Sequence, residues 1–371
     1  MNIFKSLFNR SETQKKNYGS ANWMPLLGSD RESDIAFSWV YTAITCRAEN
    51  LIKAEIYLYQ REKNGKIKEV ENHPFFDIMN VLNVYDQSFQ DIIYSISLNL
   101  DVYGNAFVYI LKDKANRPAQ FILLPTTRVK QVFSEDGTQV IGYEYRTSSK
   151  LTKYSVEEVI HFKLPSLDNI FYGTPSIQSC KYAIDIDCFQ QTYQKAFYEN
   201  DGSVGLALQT DQELSDESFQ RTLDMWNDKH SGASNANRVA LLDNGLKIET
   251  FNNNPKEVGF KESRLQLRDE ILGKLRVPKN ILGIVEDVNR ANAEASIYTF
   301  IKFTIEPLSR FIVNGFNKFL KANYDPSLYL TFEYESSDDN QVDLYKMLLD
   351  HQVITTDEAR ELFGFQTLKQ N

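Results

Sequence analysis

The stretch that decides the fold is 272–296, LGKLRVPKNILGIVEDVNRANAEAS. It starts as the charged end of a helix, breaks at Pro278, passes through a short apolar knot and opens into a polar loop. Helix resumes near Ala293. Proline lacks a backbone donor and biases the preceding Val277 away from helical angles, so the first helix should end here. Ile281 and Leu282 are the strong apolar anchors before Gly283 and should pin the loop's entry. From Glu286 to Asn292 only Val288 asks for burial, so this run should face solvent.

Outward from the loop lie two of the strongest helices. KESRLQLRDEILGKLR (261–276) carries mixed charge, with Glu270 and Lys274 at i,i+4 spacing. Downstream, Ile297, Phe300, Ile301, Leu308, Phe311, Ile312, Phe316 and Phe319 repeat with the helical period over roughly seven turns. Pro307 lies inside that run and should bend it. Upstream, a helix near 183–200 places Ile186, Phe189, Tyr193 and Phe197 on one stripe and ends at Gly202. Between the upstream pair sits a compact strand–helix–strand insertion. Its strands are SVGLALQTDQ and RVALLDNGLKIETF, and its small helix, SDESFQRTLDMWNDKHSG, has Ser215 and Asp216 to cap it.

The N-terminal half reads as helices followed by meandering strands. SDIAFSWVYTAITCRAENLI (33–52) is an amphipathic helix. IYLYQREKNGKIKEV is a hairpin turning at Asn64-Gly65, where both residues tolerate positive φ. Two helices split around Asn83 come next, then the strands NAFVYILKD, AQFILLP, RVKQVFSEDG, VIGYEYR and VIHFK. LYLTFEYES and one or two short helices close the chain. This order predicts an α+β fold and not an alternating parallel one.

Composition bounds the function. The 371 residues suffice for one large core or two to three smaller ones, and 41 Lys+Arg against 50 Asp+Glu give a formal charge of −9. A protein that grips nucleic acid by its phosphates usually has the opposite sign. Cys46, Cys180 and Cys188 form no CxxC pair, which suggests reduced thiols and no zinc site. No run is long and apolar enough to span a membrane, and the opening MNIFKSLFNRSETQKKNYGS lacks the continuous apolar stretch of a signal peptide. Ile3, Phe4, Leu7 and Phe8 stand there at helical spacing beside Lys5 and Arg10, so a mobile tail is expected, with a short docking or membrane-surface helix as the alternative.

Catalytic patterns were sought and not found. GxxxxGK[ST], GxGxxG, HExxH and GxSxG are absent. His73, His161, His230 and His351 lie far apart, at a helix start, in a strand, at a helix end and on a polar face, and are read as structural. The carboxylate pairs Glu157-Glu158 and Asp338-Asp339 suit solvated turns or caps.

Taken together, SDIAFSWVYTAITCRAENLIKAEIYLY, HPFFDIMN, LDVYGNAFVYI, VIHFK with YGTPSI, RVALLDNGLKIETF, KESRLQLRDEILGKLRVPKNILG and the long helix with its internal EPL make the chain resemble the portal proteins of long-tailed double-stranded DNA bacteriophages. Each stretch is weak alone; their order and spacing, from about residue 30 to 365, is specific. Where that family often closes the HP helix region with Pro-Asn, this chain has Leu82-Asn83, which puts the local turn in doubt.

The resemblance implies a tail (1–19), an α+β wing (20–182), a first stem helix (183–201), a clip (202–254) and a second stem helix (255–277). A tunnel loop (278–292), a long bent helix (293–323), a returning wing strand (324–340) and short crown helices (341–371) would follow. It further implies a dodecameric ring at one capsid vertex, the channel for DNA packaging and ejection, with no catalytic activity, cofactor or metal. Implied partners are further copies of the chain, double-stranded DNA read without sequence preference, the terminase large subunit, head-completion and connector proteins, and major capsid and scaffold proteins, with no membrane. The place of action would be the virion, after assembly in the host cytoplasm. Lys279, Asn280, Glu286, Asp287, Asn289, Arg290 and Asn292 would line the tunnel loop. Glu213, Asp216, Glu217, Phe219, Arg221, Trp226 and Lys229 would form the clip's docking surface, with Phe219, Leu223 and Trp226 as apolar anchors. The alternatives are another phage structural connector, usually shorter and without the long bent helix, or a DNA-processing enzyme, which metal dependence on plasmid DNA would reveal.

Overall fold

The computed structural model describes residues 39–199, 206–210, 215–230, 247–250, 260–284, 290–334, 346–351, 353–356 and 358–359. Helix α1 (Trp39–Leu51) buries Val40, Ala43, Ile44, Ala48 and Leu51, the i, i+3, i+4 pattern of a helix with one apolar face. Strands β1 (Glu55–Arg61) and β2 (Ile67–Glu69) follow as the expected hairpin, with Gly65 at φ 84 in its turn. Helix α2 (Pro74–Asn80) starts on His73, whose Nδ1 accepts from the Phe75 amide at 3.2 Å. Helix α3 (Phe89–Tyr103) opens with a capping box: Ser88 Oγ accepts from Asp91 N at 3.1 Å, and Asp91 Oδ2 accepts from Ser88 N at 2.9 Å. Those hydrogen bonds from Ser88 hold the Asp91 carboxyl below its ordinary range.

Helix α3 ends at Gly104, φ 70, where a Cβ would lie 2.3 Å from the Gly173 carbonyl oxygen. Only glycine fits there. Strands β3 (Asn105–Lys112), β4 (Pro118–Leu124) and β8 (Val159–Lys163) form one antiparallel sheet in the order β4-β3-β8. Strands β5 (Val129–Phe133), β6 (Val140–Arg146) and β7 (Leu151–Ser155) form a second, in chain order. The sequence reading placed no strand at β7; its residues are exposed or half-buried, so no apolar alternation marks it.

Helices α4 (Lys181–Glu199), α5 (Asp216–His230), α6 (Phe260–Lys274), α7 (Arg290–Phe300) and α8 (Glu306–Asn323) make up most of the second half. Strands β9 (Leu206–Gln209) and β10 (Lys247–Thr250) pair antiparallel on either side of α5 in the sequence. Strand β11 (Leu328–Glu333) returns to β1 and pairs with it from Glu55↔Glu333 to Gln60↔Leu328. The fold is α+β, as expected.

The main core gathers α1, α3, α6, α8 and the β3 sheet. Its centre is aromatic: the Phe316 ring lies 5.1 Å from Phe89 and Phe162, 5.5 Å from Phe121 and 6.4 Å from Phe75. Gly315 admits that packing, since a Cβ there would sit 2.3 Å from Phe162 Cε1. One ion pair is fully inside: Arg47 Nη1 to Asp101 Oδ1, 3.1 Å, joining α1 to α3. Burial pushes the Asp101 carboxyl up, against the opposing pull of Arg47 and Ser176. A second, smaller cluster around Phe107, Tyr143 and Tyr172 joins the β3 sheet to the β5 sheet.

Candidate functional site: the turn after the helical pair and the insertion

Helix α6 stops before Pro278. Arg276 takes φ 57, Val277 N donates to Leu272 O at 2.9 Å, and Arg276 N donates to Gly273 O at 3.1 Å. These two bonds form a Schellman termination, and the side chains of Leu272 and Val277 on either side of it are both buried in the main core. Glycine usually occupies the left-handed position; here it is arginine. Pro278 is then extended, at φ −65 and ψ 139, followed by a 3₁₀ turn (Lys279–Leu282) and a second left-handed residue, Gly283 at φ 74. Ile281 and Leu282 are half-buried against the main core, as expected of the loop's anchors.

The expected channel residues are placed as follows. Lys279 Nζ lies 2.5 Å from Asp269 Oδ2, and Arg268 Nε donates to Asp269 Oδ1 at 2.9 Å. Burial raises the Asp269 carboxyl, but the Lys279 and Arg268 hydrogen bonds outweigh it and hold the group below its ordinary range. Lys279 therefore spends its charge on α6. Asn280 Nδ2 reaches toward Ala293 O, 3.5 Å away, and so bridges the two ends of the loop. Glu286, Asp287 and Asn289 lie outside the described residues. Arg290 and Asn292 stand on the first turn of α7, which begins three residues earlier than the sequence reading set it.

Beyond α7 the helix widens. Residues Ile301–Ile305 form a π turn, with the Glu306 amide donating to Ile301 O. Thr304 Oγ1 donates to Arg276 O at 3.2 Å and ties this turn to the end of α6. Pro307, in the first turn of α8, cannot donate to the residue-303 carbonyl, and the wide turn accommodates that loss. The expected break near Pro307 is thus a π segment directly before it.

The helical pair is joined by polar links that the sequence did not disclose. Arg264 Nε lies 3.3 Å from Asp187 Oδ1, Gln191 Nε2 donates to Asp187 Oδ2 at 2.9 Å, and Gln190 Nε2 donates to Ser263 Oγ at 2.7 Å. Asp187 is fully buried. Its partner lies 77 positions away, so no local pattern announces the pair. Of the stripe read on α4, Ile186 and Phe189 are 47% and 72% exposed while Tyr193 is half-buried; Tyr182, one turn before Ile186, extends the exposed part at 78%. The side chain of Phe197 lies outside the described residues.

On the insertion, Ser218 N donates to Ser215 Oγ at 3.3 Å, the expected cap, and Asp216 and Glu217 fill the first turn, where the helix dipole favours them. Arg221 Nη2 and Glu217 Oε1 are 3.1 Å apart on a solvated face. Phe219, expected as an anchor, is 56% exposed. Trp226, Lys229 and Leu223 ride on α5, but their side chains, like Glu213, lie outside the described residues.

The described histidines do structural work. His161 Nε2 is 3.0 Å from Asn105 Oδ1 and Nδ1 is 3.2 Å from Gln131 Nε2, the pairing of a neutral ring that donates through one nitrogen and accepts through the other. Burial, with the nearby charges of Lys163 and Lys318, lowers its pKa to about 3. Among the described residues no His/Cys/Asp/Glu group could hold a metal ion, and no helix is long and apolar enough to cross a membrane.

Comparison with known proteins places this architecture. A family model described as "Phage portal protein" matches residues 38–364. The "Probable portal protein" of Streptomyces phage phiC31 is 24% identical over 337 residues, covering 87% of this chain and 73% of that protein. Among solved structures, a chain from the neck of an empty GTA particle superposes with a TM-score of 0.66 at 19% identity, covering 95% of this chain and 96% of that one. A portal protein of the HK97 phage family from Corynebacterium diphtheriae superposes with a TM-score of 0.59 at 15% identity, covering 82% and 94%. With the family model spanning the fold from α1 to beyond β11, this chain belongs to the phage portal protein family.

Proposed function

We propose that copies of this chain close into a ring at one capsid vertex, a structural, non-enzymatic channel through which duplex DNA is packaged and later ejected. The observation that carries this reading is the exposed stripe Tyr182, Ile186, Phe189 on α4. Three large apolar side chains on one face of a helix are costly to leave in water, and covering them with a different face of the next copy is a head-to-tail contact that closes into a ring. A neighbouring fold, the neck of the native GTA particle, is described with C12 symmetry, which favours about twelve copies here.

The loop after α6 would then point at the channel axis. Arg290 and Asn289 would touch phosphates lightly while Glu286 and Asp287 keep the grip weak; Lys279, held by Asp269, would contribute little. The formal charge of −9 suits a wall that lets DNA slide, because a wall dense in cations would hold phosphates through counterion release. Contacts would follow shape and charge and not base edges. The insertion's mixed-charge helix would receive the terminase large subunit and afterwards head-completion proteins, with capsid and scaffold proteins around the body.

Native mass spectrometry and negative-stain imaging test the ring. Rings of about twelve copies are expected, and Phe189→Glu should shift the population to small species with unchanged helix content. A clean monomer at micromolar concentration and moderate salt would overturn the reading. For the loop, Glu286→Lys with Asp287→Lys should slow or trap DNA in a packaging assay, an effect that fades as salt rises. Unchanged packaging and retention at both low and high salt would make the loop a simple connector.

A further inference from the structure

The sheet β11-β1-β2 has an outer face that the portal reading leaves unused. Register places Glu55, Tyr57, Tyr59 and Arg61 of β1 on one side, beside Glu333, Thr331 and Tyr329 of β11 and Glu69 and Ile67 of β2. Three carboxylates therefore surround a ladder of three tyrosines. Tyr57 and Tyr59 stack at 6.2 Å, and Tyr59 lies 5.7 Å from Tyr329. Glu55 accepts a hydrogen bond from the Tyr57 hydroxyl, and Glu333 accepts one from Tyr59 at 3.3 Å. These carboxylates, Glu55 first, push the exposed Tyr57 hydroxyl up to about 12.

The face already shows which chemistry it accepts. At its far end the Arg61 guanidinium sits 5.9 Å from the Tyr329 ring centre, a cation over an aromatic face. At the near end an open cleft of about 830 Å³ is lined by Glu55, Tyr57 and Lys53 together with the apolar Ile52, Ile56, Met79 and Phe89. Carboxylates and tyrosines next to apolar lining residues fit a segment that carries cations and large apolar side chains together.

The chain contains such a segment. Residues 1–20 hold Lys5, Arg10, Lys15 and Lys16 against the single acid Glu12, in a protein of formal charge −9. The same residues include Ile3, Phe4, Leu7 and Phe8. They precede the part of the chain that the family model matches, which starts at residue 38. Reach is ample: residues 16 to 39 can span about 75 Å when extended, whereas α1, which connects Trp39 to the cleft, is about 20 Å long.

We propose that the basic N-terminal segment, residues 1–20, docks on the tyrosine–carboxylate face of β1 and β11, with its apolar side chains in the adjoining cleft. In this docking Lys5, Arg10, Lys15 and Lys16 would pair with Glu55, Glu69 and Glu333 or lie over the tyrosine rings. Docking fastens the segment along the edge of the body, within one subunit or across to its neighbour.

Limited trypsin digestion of the full-length protein tests this, read by mass spectrometry at Lys15 and Lys16. Cleavage there should quicken about fivefold in the triple variant Glu55→Gln, Glu69→Gln, Glu333→Gln, and similarly when salt is raised. All three carboxylates are exposed, so the melting temperature should hold and a folding defect can be told apart. Carbodiimide coupling of the unaltered protein should join Lys5, Lys15 or Lys16 to Glu55, Glu69 or Glu333, and mixing isotope-labelled with unlabelled chains tells whether the pair lies within or between subunits. Either pattern supports docking. Equal cleavage rates in the parent and the triple variant, or tail lysines coupled chiefly to carboxylates elsewhere, such as Glu135 or Glu157, would overturn it.

Discussion

The sheet-and-helix body and the helical pair α4/α6 are held by different means. In the body, four phenylalanine rings interlock around Phe316, and an ion pair between α1 and α3 is buried. Between α4 and α6 polar links, Asp187 to Arg264 and Gln190 to Ser263, stand beside the apolar contribution of Ile184, Leu267 and Ile271 to the main core, while Tyr182, Ile186 and Phe189 of α4 point outward. The body is complete within one subunit. The helical pair leaves Tyr182, Ile186 and Phe189 in water, the face that the proposed ring would cover.

The largest expected effect contrasts the two regions directly. Phe316→Ala should cost about 3–5 kcal/mol of subunit stability, because a ring is removed from a closed core. Phe189→Ala, on the exposed stripe, should cost under about 0.5 kcal/mol in the isolated subunit. Denaturant titration of both variants under conditions that keep the subunit single checks the contrast; comparable losses would abolish it.

A smaller effect concerns pH and belongs to the body alone. The folded pKa of His161 is lowered to about 3 from an ordinary value near 6.5. A depressed value means that the unfolded chain takes the proton first. The stability His161 contributes is whole above about pH 6.5 and is lost as pH falls from there toward 3. Between pH 6.5 and 5 this amounts to about 1–2 kcal/mol. His161→Gln should flatten the fall in melting temperature over that window; an unchanged slope would show that the ring is not held neutral.

The smallest effect sits where the two regions meet. Arg276 occupies a left-handed position at φ 57, which costs a side-chain-bearing residue about 1–2 kcal/mol. Arg276→Gly should raise stability by about 0.5–1 kcal/mol once the greater freedom of unfolded glycine is subtracted. Thermal unfolding reads it. A loss instead would mean that the exposed arginine side chain makes a contact worth more than the strain.

Much of this was legible in the sequence because period and turn chemistry are local. Asn64-Gly65 marked the hairpin, Ser215 with Asp216 marked a helix start, and the run to Phe319 announced α8. What escaped was mostly non-local or unpatterned. The ladder of β1 with β11 brings Tyr59 to Glu333, whose side chains bond across 274 positions, Asp187 meets its arginine 77 positions on, and β7 carries no apolar alternation. Arg276 escaped for another reason: a helix termination normally signalled by glycine was signalled only by the proline two residues later. At the loop's entry the apolar pattern gave the anchors Ile281 and Leu282, but nothing local showed that Lys279, expected in the channel, is held by Asp269.

The π turn at Ile301–Ile305 has a consequence for how such a chain can change. An extra residue in one turn advances everything before it by about 100° around the axis relative to everything after it. On α8 the apolar residues face inward, with Phe316 and Phe319 buried, whereas Ile297 and Tyr298 on α7 are about half exposed. The turn therefore works as a phase adjuster between a half whose aim is fixed by the core and a half whose aim is free. A single-codon insertion or deletion there should turn α7 about the axis relative to α8 while leaving the packing of Phe316 in place, so in the proposed ring the loop before α7 could be re-aimed by length alone, without new side chains.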